Sequence, residues 1–299
     1  MKRFALLFSA VLIALTSCNN ENGEEYEPLQ PKFVDKITHV NGSEISLEYD
    51  SDMRVKGVTY IDALDASKNR NYEIKYNLNM TNNNVTFEIT SGDKRYIMKF
   101  NEYGALDQFV LDGSPQTVLS TFNYNSYNSI GAFHLELQGM VDKLSGGETR
   151  RIDWSYGTPV AQINQREQII EGTTYTYSTS IQYSYMKYRS NVHANVNFFN
   201  LMTPEFLEYS NIPIELAATV SVFGTRSTYL PTDITVIKGR SIAGENYVKL
   251  SEEEREYTYD TDDNGYITKI YTGKDDNETK ELLYTIKYVG AEDDEKDKK

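Results

Sequence analysis

Cysteine is nearly absent from this chain of 299 residues, because Cys18 is the only one. A disulfide within the chain is therefore impossible, and no thiol nucleophile exists beyond Cys18. Histidine occurs three times, without the His-x-His or HExxH spacing that seats zinc. There is also no GxSxG elbow, phosphate loop or dinucleotide glycine pattern. Acyl, phosphoryl and redox chemistries thus lack their usual sequence signatures.

The apolar stretch at the N-terminus is too short to span a membrane. It covers residues 4–15, 12 residues against the roughly 20 that a spanning helix needs. Lys2 and Arg3 precede it and small residues follow it, which is the order of a secretion signal. Residues 15–18, Leu-Thr-Ser-Cys, resemble the lipobox of bacterial lipoproteins, in which the cysteine takes a diacylglycerol. We predict that residues 1–17 are a cleaved signal peptide and that lipid on Cys18 holds the protein on a membrane; a free or intermolecularly paired thiol is the alternative.

Polar segments flank the body of the chain. Residues 19–27 are acidic, lack aliphatic side chains and lead into Pro28 and Pro31, so residues 18–31 are predicted to be a flexible lipidated tether. Acidic residues after a lipidated cysteine also resemble the surface-export signal of Bacteroidetes lipoproteins. That resemblance implies an outer-membrane protein, on the periplasmic face or the cell surface. Residues 291–299 are predicted to be a disordered charged tail, which leaves residues 32–290 as a single domain.

The charge balance is acidic. Acidic residues outnumber basic ones 44 to 30, and a formal net charge of −14 becomes −16 once the two positive charges of the signal peptide are removed. A polyanion binder needs clustered Lys and Arg to neutralise phosphates. We therefore expect no nucleic-acid partner, and the same reasoning disfavours anionic lipid headgroups.

Apolar and polar residues alternate along much of the chain. Ile45, Leu47 and Tyr49, for example, alternate with Ser46 and Glu48. Strands with one buried face show this pattern, whereas parallel sheets read as continuous apolar runs. The predicted fold class is all-β, a long antiparallel meander that forms a curved sheet or partly open barrel of many hairpins. The same alternation occurs at residues 72–78, 85–89, 152–156, 181–185, 192–198 and 284–288.

An aromatic residue followed by Asp, Asn or Gly ends many of the predicted strands. The first five such pairs recur at spacings of 27, 24, 24 and 32 residues, which suits one hairpin per unit. Asp and Asn at these places can satisfy turn backbone groups with their side chains. The pairs begin at Tyr49, Tyr76, Phe100, Tyr124, Tyr156 and Tyr259.

Residues 199–225 break the alternation. Their apolar residues have helical spacing, and Pro204 and Pro213 stand near two helix starts. We predict one or two short helices there, packed over the sheet as a cover.

The tyrosine-aspartate turns support two resemblances. Residues 257–260 and 264–270 look like the repeats that build β-sheet shells in Rhs-type toxins. Together with the lipobox and the closing residues 284–288, the chain more closely resembles an uncharacterised Bacteroidetes lipoprotein family, of unknown function, described as having a porin-like fold. The resemblance covers residues 33–289 and implies an envelope address and a curved antiparallel sheet. It transfers no functional residue.

One motif suggests a metal. Asp260, Asp262 and Asn264 place oxygen ligands at positions 1, 3 and 5 of a loop with Gly265 at position 6, as a calcium loop demands. Position 12 is Tyr271 instead of glutamate, so an acidic hairpin loop is the alternative interpretation. The three histidines, at positions 39, 134 and 193, lie in separate predicted strands and are interpreted as surface residues rather than ligands or bases.

These observations favour a lipid-anchored, non-enzymatic envelope protein that binds a glycan, a peptide or another envelope protein. A hydrolase of envelope or dietary polymers is the first alternative and requires a cleft that gathers carboxylates or a Ser-His pair. A carrier of an apolar ligand requires an unfilled apolar cavity beside the helices. A transmembrane barrel is the remaining rival, since alternating strands are also its signature.

Overall fold

Sixteen strands and two short helices make up the described part of the chain. The computed structural model describes residues 32–79, 84–103, 105–129, 132–143, 148–155, 158–185, 196–208, 210–220, 230–243, 245–273 and 280–290. The strands are β1 Val34–His39, β2 Glu44–Tyr49, β3 Val55–Ile61, β4 Arg70–Asn79, β5 Asn84–Ser91, β6 Lys94–Phe100, β7 Leu106–Leu111, β8 Thr117–Ser129, β9 Ala132–Asp142, β10 Thr149–Ser155, β11 Thr158–Ile170, β12 Thr173–Ser184, β13 Asp233–Ile242, β14 Val248–Thr261, β15 Ile267–Thr272 and β16 Glu281–Tyr288. The helices are α1 Phe198–Met202 and α2 Ile214–Thr219, with 3-10 turns at Ala66–Lys68 and Pro204–Phe206.

The strands form one closed antiparallel barrel. Each strand pairs with its neighbours in sequence, and β1 closes the sheet against β16, with Val34 opposite Tyr288 and His39 opposite Tyr284. The predicted antiparallel meander is confirmed, and its last strand returns to its first instead of leaving the barrel partly open. Closure gives the two outermost strands partners for backbone groups that an open sheet would leave exposed.

The barrel has two ends, which differ in the strand termini that they contain. We call the end where β1 begins at Val34 and β16 ends at Tyr288 the proximal rim, and the end where β1 finishes at His39 the distal rim. Lys32, the first described residue, contacts the rings of Tyr266 and Tyr288 at the proximal rim.

The alternation predicted from the sequence separates an apolar inside from a polar outside. In β4, Tyr72 and Ile74 are buried. The residues between and beside them are all exposed, namely Asn71, Glu73, Lys75 and Asn77. A transmembrane barrel has the reverse arrangement, with an outward apolar band about 25 Å tall. The outer face of β4 therefore does not resemble a lipid-facing wall.

The barrel interior contains residues 196–220, which we call the plug. The plug comprises α1, the Pro204–Phe206 turn and α2, and it contacts strands all around the wall, from β3 and β4 to β11, β12, β14 and β16. Its buried apolar side chains complete the core. The predicted short helices are thus confirmed, but they fill the barrel instead of covering a sheet, because a closed sheet has its apolar face only inside. None of the helices in the described residues is long and apolar enough to cross a membrane.

One sequence expectation near the plug is wrong. The alternation at residues 192–198 predicted a strand, whereas Phe198 begins α1. Val196 and Phe198 are both buried, which a short helix achieves as readily as a strand. Apolar runs this short do not distinguish the two structures. Residues 186–195 lie outside the described residues.

Tyrosine hydroxyls join the two strands of several hairpins at the proximal rim. Tyr49, at the end of β2, donates to the carbonyl of Val34 at the start of β1, over 2.5 Å. Tyr76 donates in the same way to Val55, over 2.6 Å. The tyrosine latches are Tyr49 to Val34, Tyr76 to Val55, Tyr185 to Pro159, Tyr259 to Pro231 and Tyr288 to Ile267. These bonds give a structural reason for three of the repeated aromatic residues, Tyr49, Tyr76 and Tyr259.

Candidate ligand-binding cavity

A cavity of about 770 Å³ opens at the distal rim between the plug and the wall. This volume lies within the range of small-ligand sites. The plug contributes one side, β14 a second, and the ends of β15, β16 and β1 the remainder. The lining residues are His39, Leu201, Met202, Pro204, Glu205, Glu253, Glu254, Arg255, Glu256, Tyr257, Thr272, Gly273, Leu283 and Tyr284.

Unequal strand lengths create the opening. β14 has 14 residues and β15 has six, so β14 continues beyond the pair that Tyr257 makes with Thr272. Among the described residues, no strand pairs with Val248–Glu256 on the side of β15. The part of β14 that precedes Tyr257 forms a wall of the cavity.

The floor of the cavity is apolar and uncharged. Leu201, Met202 and Leu283 contribute aliphatic surface. The hydroxyls of Tyr257 and Tyr284 donate to the carbonyls of Met202 and Leu201, over 3.4 and 3.3 Å. Burial raises the pKa of Tyr284 to about 12 and also raises that of Tyr257. Both phenols stay protonated at neutral pH and hold the plug to the wall.

Arg255 organises the charged side of the cavity. Its guanidinium contacts Glu205 of the plug in a two-pronged arrangement, at 2.5 and 3.3 Å, and Glu253 at 2.6 Å. The hydrogen bond from Arg255 lowers the pKa of Glu253, and the bond to Glu253 raises the pKa of Arg255. The lining holds four glutamates and one arginine, so its formal charge is strongly negative.

His39 is the one predicted surface histidine that the structure brings to a candidate site. Its ring lies edge-on to Tyr284, with 5.0 Å between ring centroids, at the rim of the cavity. Its Nδ1 accepts the backbone N–H of Asn41 over 3.1 Å, which in the neutral ring assigns the proton to Nε2. The side chain of His134 and the whole of His193 lie outside the described residues.

A second cluster of charges contacts the same turn of the plug from the side of β9 and β10, and it is closed. Arg150 and Asp142 are fully buried and form an ion pair, and Glu148 lies 3.1 Å from the same guanidinium. Arg150 also donates to the plug carbonyls of Phe206 and Glu208, over 2.6 and 3.0 Å. We call Arg150, Asp142 and Glu148 the buried network. It fastens the plug to β9 and β10.

The space beside the buried network is too small for an organic ligand. A cavity of about 30 Å³ touches Glu148 and Asn164. The Oδ1 atom of Asn164 lacks a hydrogen-bond partner, whereas Oε2 of Glu148 lies 3.1 Å from the guanidinium of Arg150. That volume fits a water molecule and little more. Burial raises the pKa of Glu148 although Arg150 opposes the shift.

The predicted calcium loop lies at the proximal rim, away from the distal cavity. Asp262 accepts the backbone N–H groups of Asn264 and Tyr266 over 3.0 and 2.9 Å, and Lys32 contacts its other oxygen at 2.5 Å. Asp260 accepts from the hydroxyl of Tyr271 over 2.6 Å.

The pKa values of both aspartates are lowered. The bond from Tyr271 lowers the pKa of Asp260, and in Asp262 burial raises the pKa but the bonds from Lys32 and the turn outweigh it. Across the described residues there is no group of three His, Cys, Asp or Glu that could hold a metal. Calcium binding stays a prediction, and Cys18 lies outside the described residues.

Apart from His39, which the sequence predicted to be a surface residue, the sequence pointed to no cavity residue as part of a site. The run Glu252-Glu253-Glu254-Arg255 was their only local signal, because it interrupts the alternation ahead of a tyrosine-aspartate turn. Leu201, Met202 and Glu205 come from the plug, and nothing in their local pattern relates them to β14.

Comparison with known proteins gives a fold likeness and no family. Among solved structures, the chain is similar to a porin-like protein from Bacteroides uniformis ATCC 8492, at 15% identity and a TM-score of 0.49, covering 85% of this chain and 97% of that one. No protein-family model matches the sequence, and no curated protein matches it. A likeness at this level carries no conclusion about function.

Proposed function

We propose that this protein is a non-enzymatic, lipid-anchored protein of the bacterial cell envelope that binds a ligand in the distal cavity. The cavity itself carries the proposal. It is an open space of about 770 Å³ with an apolar floor and a charged wall. Ligand sites combine these properties, since apolar surface supplies affinity and a few polar groups fix orientation.

The plug favours binding over conduction. A barrel of 16 strands is wide enough for an aqueous channel when its interior is polar and empty. Here the plug fills the interior with buried apolar side chains such as Phe198 and Phe206. The barrel therefore serves as a rigid scaffold that presents the cavity.

The proposed anchor is lipid on Cys18, at the outer membrane, on the periplasmic face or the cell surface. Lys32 follows the proposed tether and lies at the opposite end of β1 from the cavity. Substitution Cys18→Ala should move the protein from the membrane fraction to the soluble fraction. Retention of that variant on the membrane would contradict the lipid anchor.

A substitution that fills the cavity tests the binding function. The lipidated full-length protein, in a nonionic detergent, is applied to glycan and peptide arrays beside the variant Leu283→Trp. Leu283 lines the cavity, whereas its neighbour Leu282 is exposed, so Leu282→Trp is a matched control. We expect ligands that bind the wild type and the Leu282→Trp control and are lost with Leu283→Trp. Equal binding by all three proteins, or no binding at all, would contradict the proposal.

A hydrolase is the second candidate because the cavity gathers several carboxylates. Glu205 and Glu253 both contact Arg255, however, and the lowered pKa of Glu253 makes it a poor proton donor. Turnover of a polymer by the wild type but not by Glu205→Gln would favour the hydrolase. The acidic lining also disfavours a carrier of purely apolar ligands.

A further inference from the structure

A row of arginine and tyrosine side chains crosses the sheet near the distal ends of β11, β12 and β13. Arg166, Tyr177 and Arg240 lie directly opposite one another in the registers of these three strands. Tyr175 and Tyr177 share a face with the buried Tyr183, because side chains two residues apart on a strand project the same way. The row therefore lies on the inner face of the sheet. We call Arg166, Tyr175, Tyr177 and Arg240 the arginine-tyrosine row.

Guanidinium groups stack on the phenol rings of the row. The Cζ atom of Arg166 lies 5.4 Å from the ring centroid of Tyr177, and that of Arg240 lies 5.3 Å from the ring centroid of Tyr175. The two ring centroids are 6.3 Å apart. A guanidinium that stacks on a ring still presents N–H groups at its edge, in a geometry that matches a carboxylate. Stacking on Tyr175 therefore orients the donors of Arg240.

The two ends of the row differ in their charged neighbours. Arg166 borders the same small cavity as Glu148 and Glu208, and Lys238 contacts Glu208 at 3.1 Å. Arg240 is exposed, and no carboxylate of the described residues forms an ion pair with it. This cation stands out in a chain with 44 acidic and 30 basic residues. Arg240 is therefore the group of the row that is best placed to contact an anionic ligand.

We propose that the arginine-tyrosine row binds an acidic sugar chain, with a carboxylate on Arg240 and sugar rings against Tyr175 and Tyr177. The guanidinium supplies charge-assisted hydrogen bonds, and the phenols supply flat apolar faces with a polar edge. The backbones of Arg166 and Arg240 are two strand spacings apart, about 10 Å, which suits a chain better than a single small acid. No residue of the row lines the distal cavity, so this surface is separate from the site proposed above.

The two tyrosines favour a sugar over an acidic peptide. Arginine clusters alone recognise acidic peptide motifs, so Arg166 and Arg240 would suit either ligand. A phenol adds a face that packs against the C–H groups of a sugar ring and a hydroxyl that bonds to sugar hydroxyls. Tyr175 and Tyr177 place two such rings side by side between the guanidinium groups.

Tetragalacturonate is the probe, and the galactose tetrasaccharide of the same linkage, which lacks the carboxylates, is its neutral control. Binding to the full-length protein in nonionic detergent is measured by calorimetry. We expect the acidic sugar to bind and the neutral sugar not to bind. Substitution Arg240→Gln should weaken binding about tenfold, as for loss of a charge-assisted hydrogen bond. The control Arg151→Gln removes an exposed arginine from the outer face of β10 and should leave binding unchanged.

Two substitutions of Tyr175 test the role of its ring. Tyr175→Phe keeps the flat face and should retain most of the affinity, whereas Tyr175→Leu loses that face and should weaken binding about fivefold. No binding of tetragalacturonate, or equal binding by the wild type and Arg240→Gln, would overturn the site. Equally tight binding of a capped hexaglutamate peptide would overturn the sugar class.

The variant Leu283→Trp separates this proposal from the binding function of the distal cavity. Leu283 lines the cavity and does not belong to the row, so tetragalacturonate should bind this variant and the wild type equally. Loss of tetragalacturonate binding in Leu283→Trp would place the sugar in the cavity and overturn the row as its site. Failure of the row with intact cavity ligands would leave the proposed function standing.

Discussion

The two flanks of the plug differ in how completely their polar groups are used. Towards β9 and β10, the guanidinium of Arg150 contacts two carboxylates and two plug carbonyls with no exposure to solvent. Towards β14, Arg255 also contacts two carboxylates, but the side chain of Glu253 is 59% exposed and a cavity of about 770 Å³ lies beside them. The same type of ion triad is therefore a structural fastening on one flank and the wall of an open site on the other.

Burial accounts for this difference. A charge removed from water is costly unless it is paired, so the buried network depends on its single cation, Arg150. Charges near solvent interact weakly and can exchange one partner for another. The closed flank should therefore dominate stability, and the open flank should dominate binding.

The largest expected effect is on the closed flank. Substitution Arg150→Met leaves Asp142 and Glu148 buried without their cation and should lower the free energy of unfolding by about 3–5 kcal/mol. Substitution Arg255→Met leaves Glu205 without its cation but lets the exposed Glu253 hydrate, so it should cost less than Arg150→Met. Denaturant unfolding of both variants measures the difference. Equal losses would remove the distinction between the flanks.

A smaller effect is expected where α2 meets β4. The hydroxyl of Tyr72 donates to Glu215 over 2.6 Å, and both residues are buried. Tyr72→Phe removes this donor from a buried carboxylate and should cost about 1–3 kcal/mol of unfolding free energy. Tyr271→Phe removes a similar bond to Asp260 at a more exposed site and should cost less than about 0.5 kcal/mol. A reversed order would show that the plug is not held at β4.

The pH dependence of the closed flank can be tested through Glu148. Burial raises its pKa above the ordinary value of 4.5, so the folded protein holds this proton more tightly than the unfolded chain does. Stability is therefore lost as the pH rises through the interval between the unfolded and folded pKa values. Glu148→Gln cannot ionise and should exceed the wild type in stability above that interval and match it below pH 4.5. Thermal unfolding of both proteins across the pH range would show whether their stabilities become equal at low pH. A stability difference that stays constant with pH would contradict the prediction.

Calcium should have the smallest effect. If Asp260, Asp262 and Asn264 bind it, calcium must displace Lys32 and Tyr271 from the carboxylates. At a calcium concentration equal to its Kd, the folded state gains about 0.4 kcal/mol. Thermal unfolding of the wild type and of Asp262→Asn, with and without calcium, measures the gain. An identical response of the two proteins would end the calcium hypothesis.

Local patterns predicted the hairpins but not their closure. Alternation at residues 45–49 or 284–288 reports which side chains share a face, and the structure bears this out. Closure requires β1 to pair with β16, at the far ends of the sequence, and no local pattern encodes that pairing. Helical spacing predicted the helices of the plug. It did not predict their position, because spacing shows which face of a helix is apolar but not which surface packs against that face.

The inward position of Arg150, in the buried network, could have been predicted from the sequence. Alternation that assigns Ile152 and Trp154 to one face extends back to Arg150, and would have placed that charge inside the barrel. The cavity was not predictable in the same way. It depends on the six-residue β15 pairing only with Tyr257–Thr261 of the 14-residue β14, and no turn signal reveals that difference in length.

The tyrosine latches make the barrel sensitive to alkali. Each bond needs a protonated phenol, and burial raises the pKa of Tyr76 from 10.0 to about 12 and that of Tyr288 further. Their contribution is complete below pH 10 and is lost as the pH climbs through the folded values. Because one latch joins each of five hairpins, deprotonation should loosen the proximal rim as a group. Carbonate washing, a routine test of membrane attachment at about pH 11, lies below these folded pKa values and should therefore leave most latches protonated while it tests the anchor.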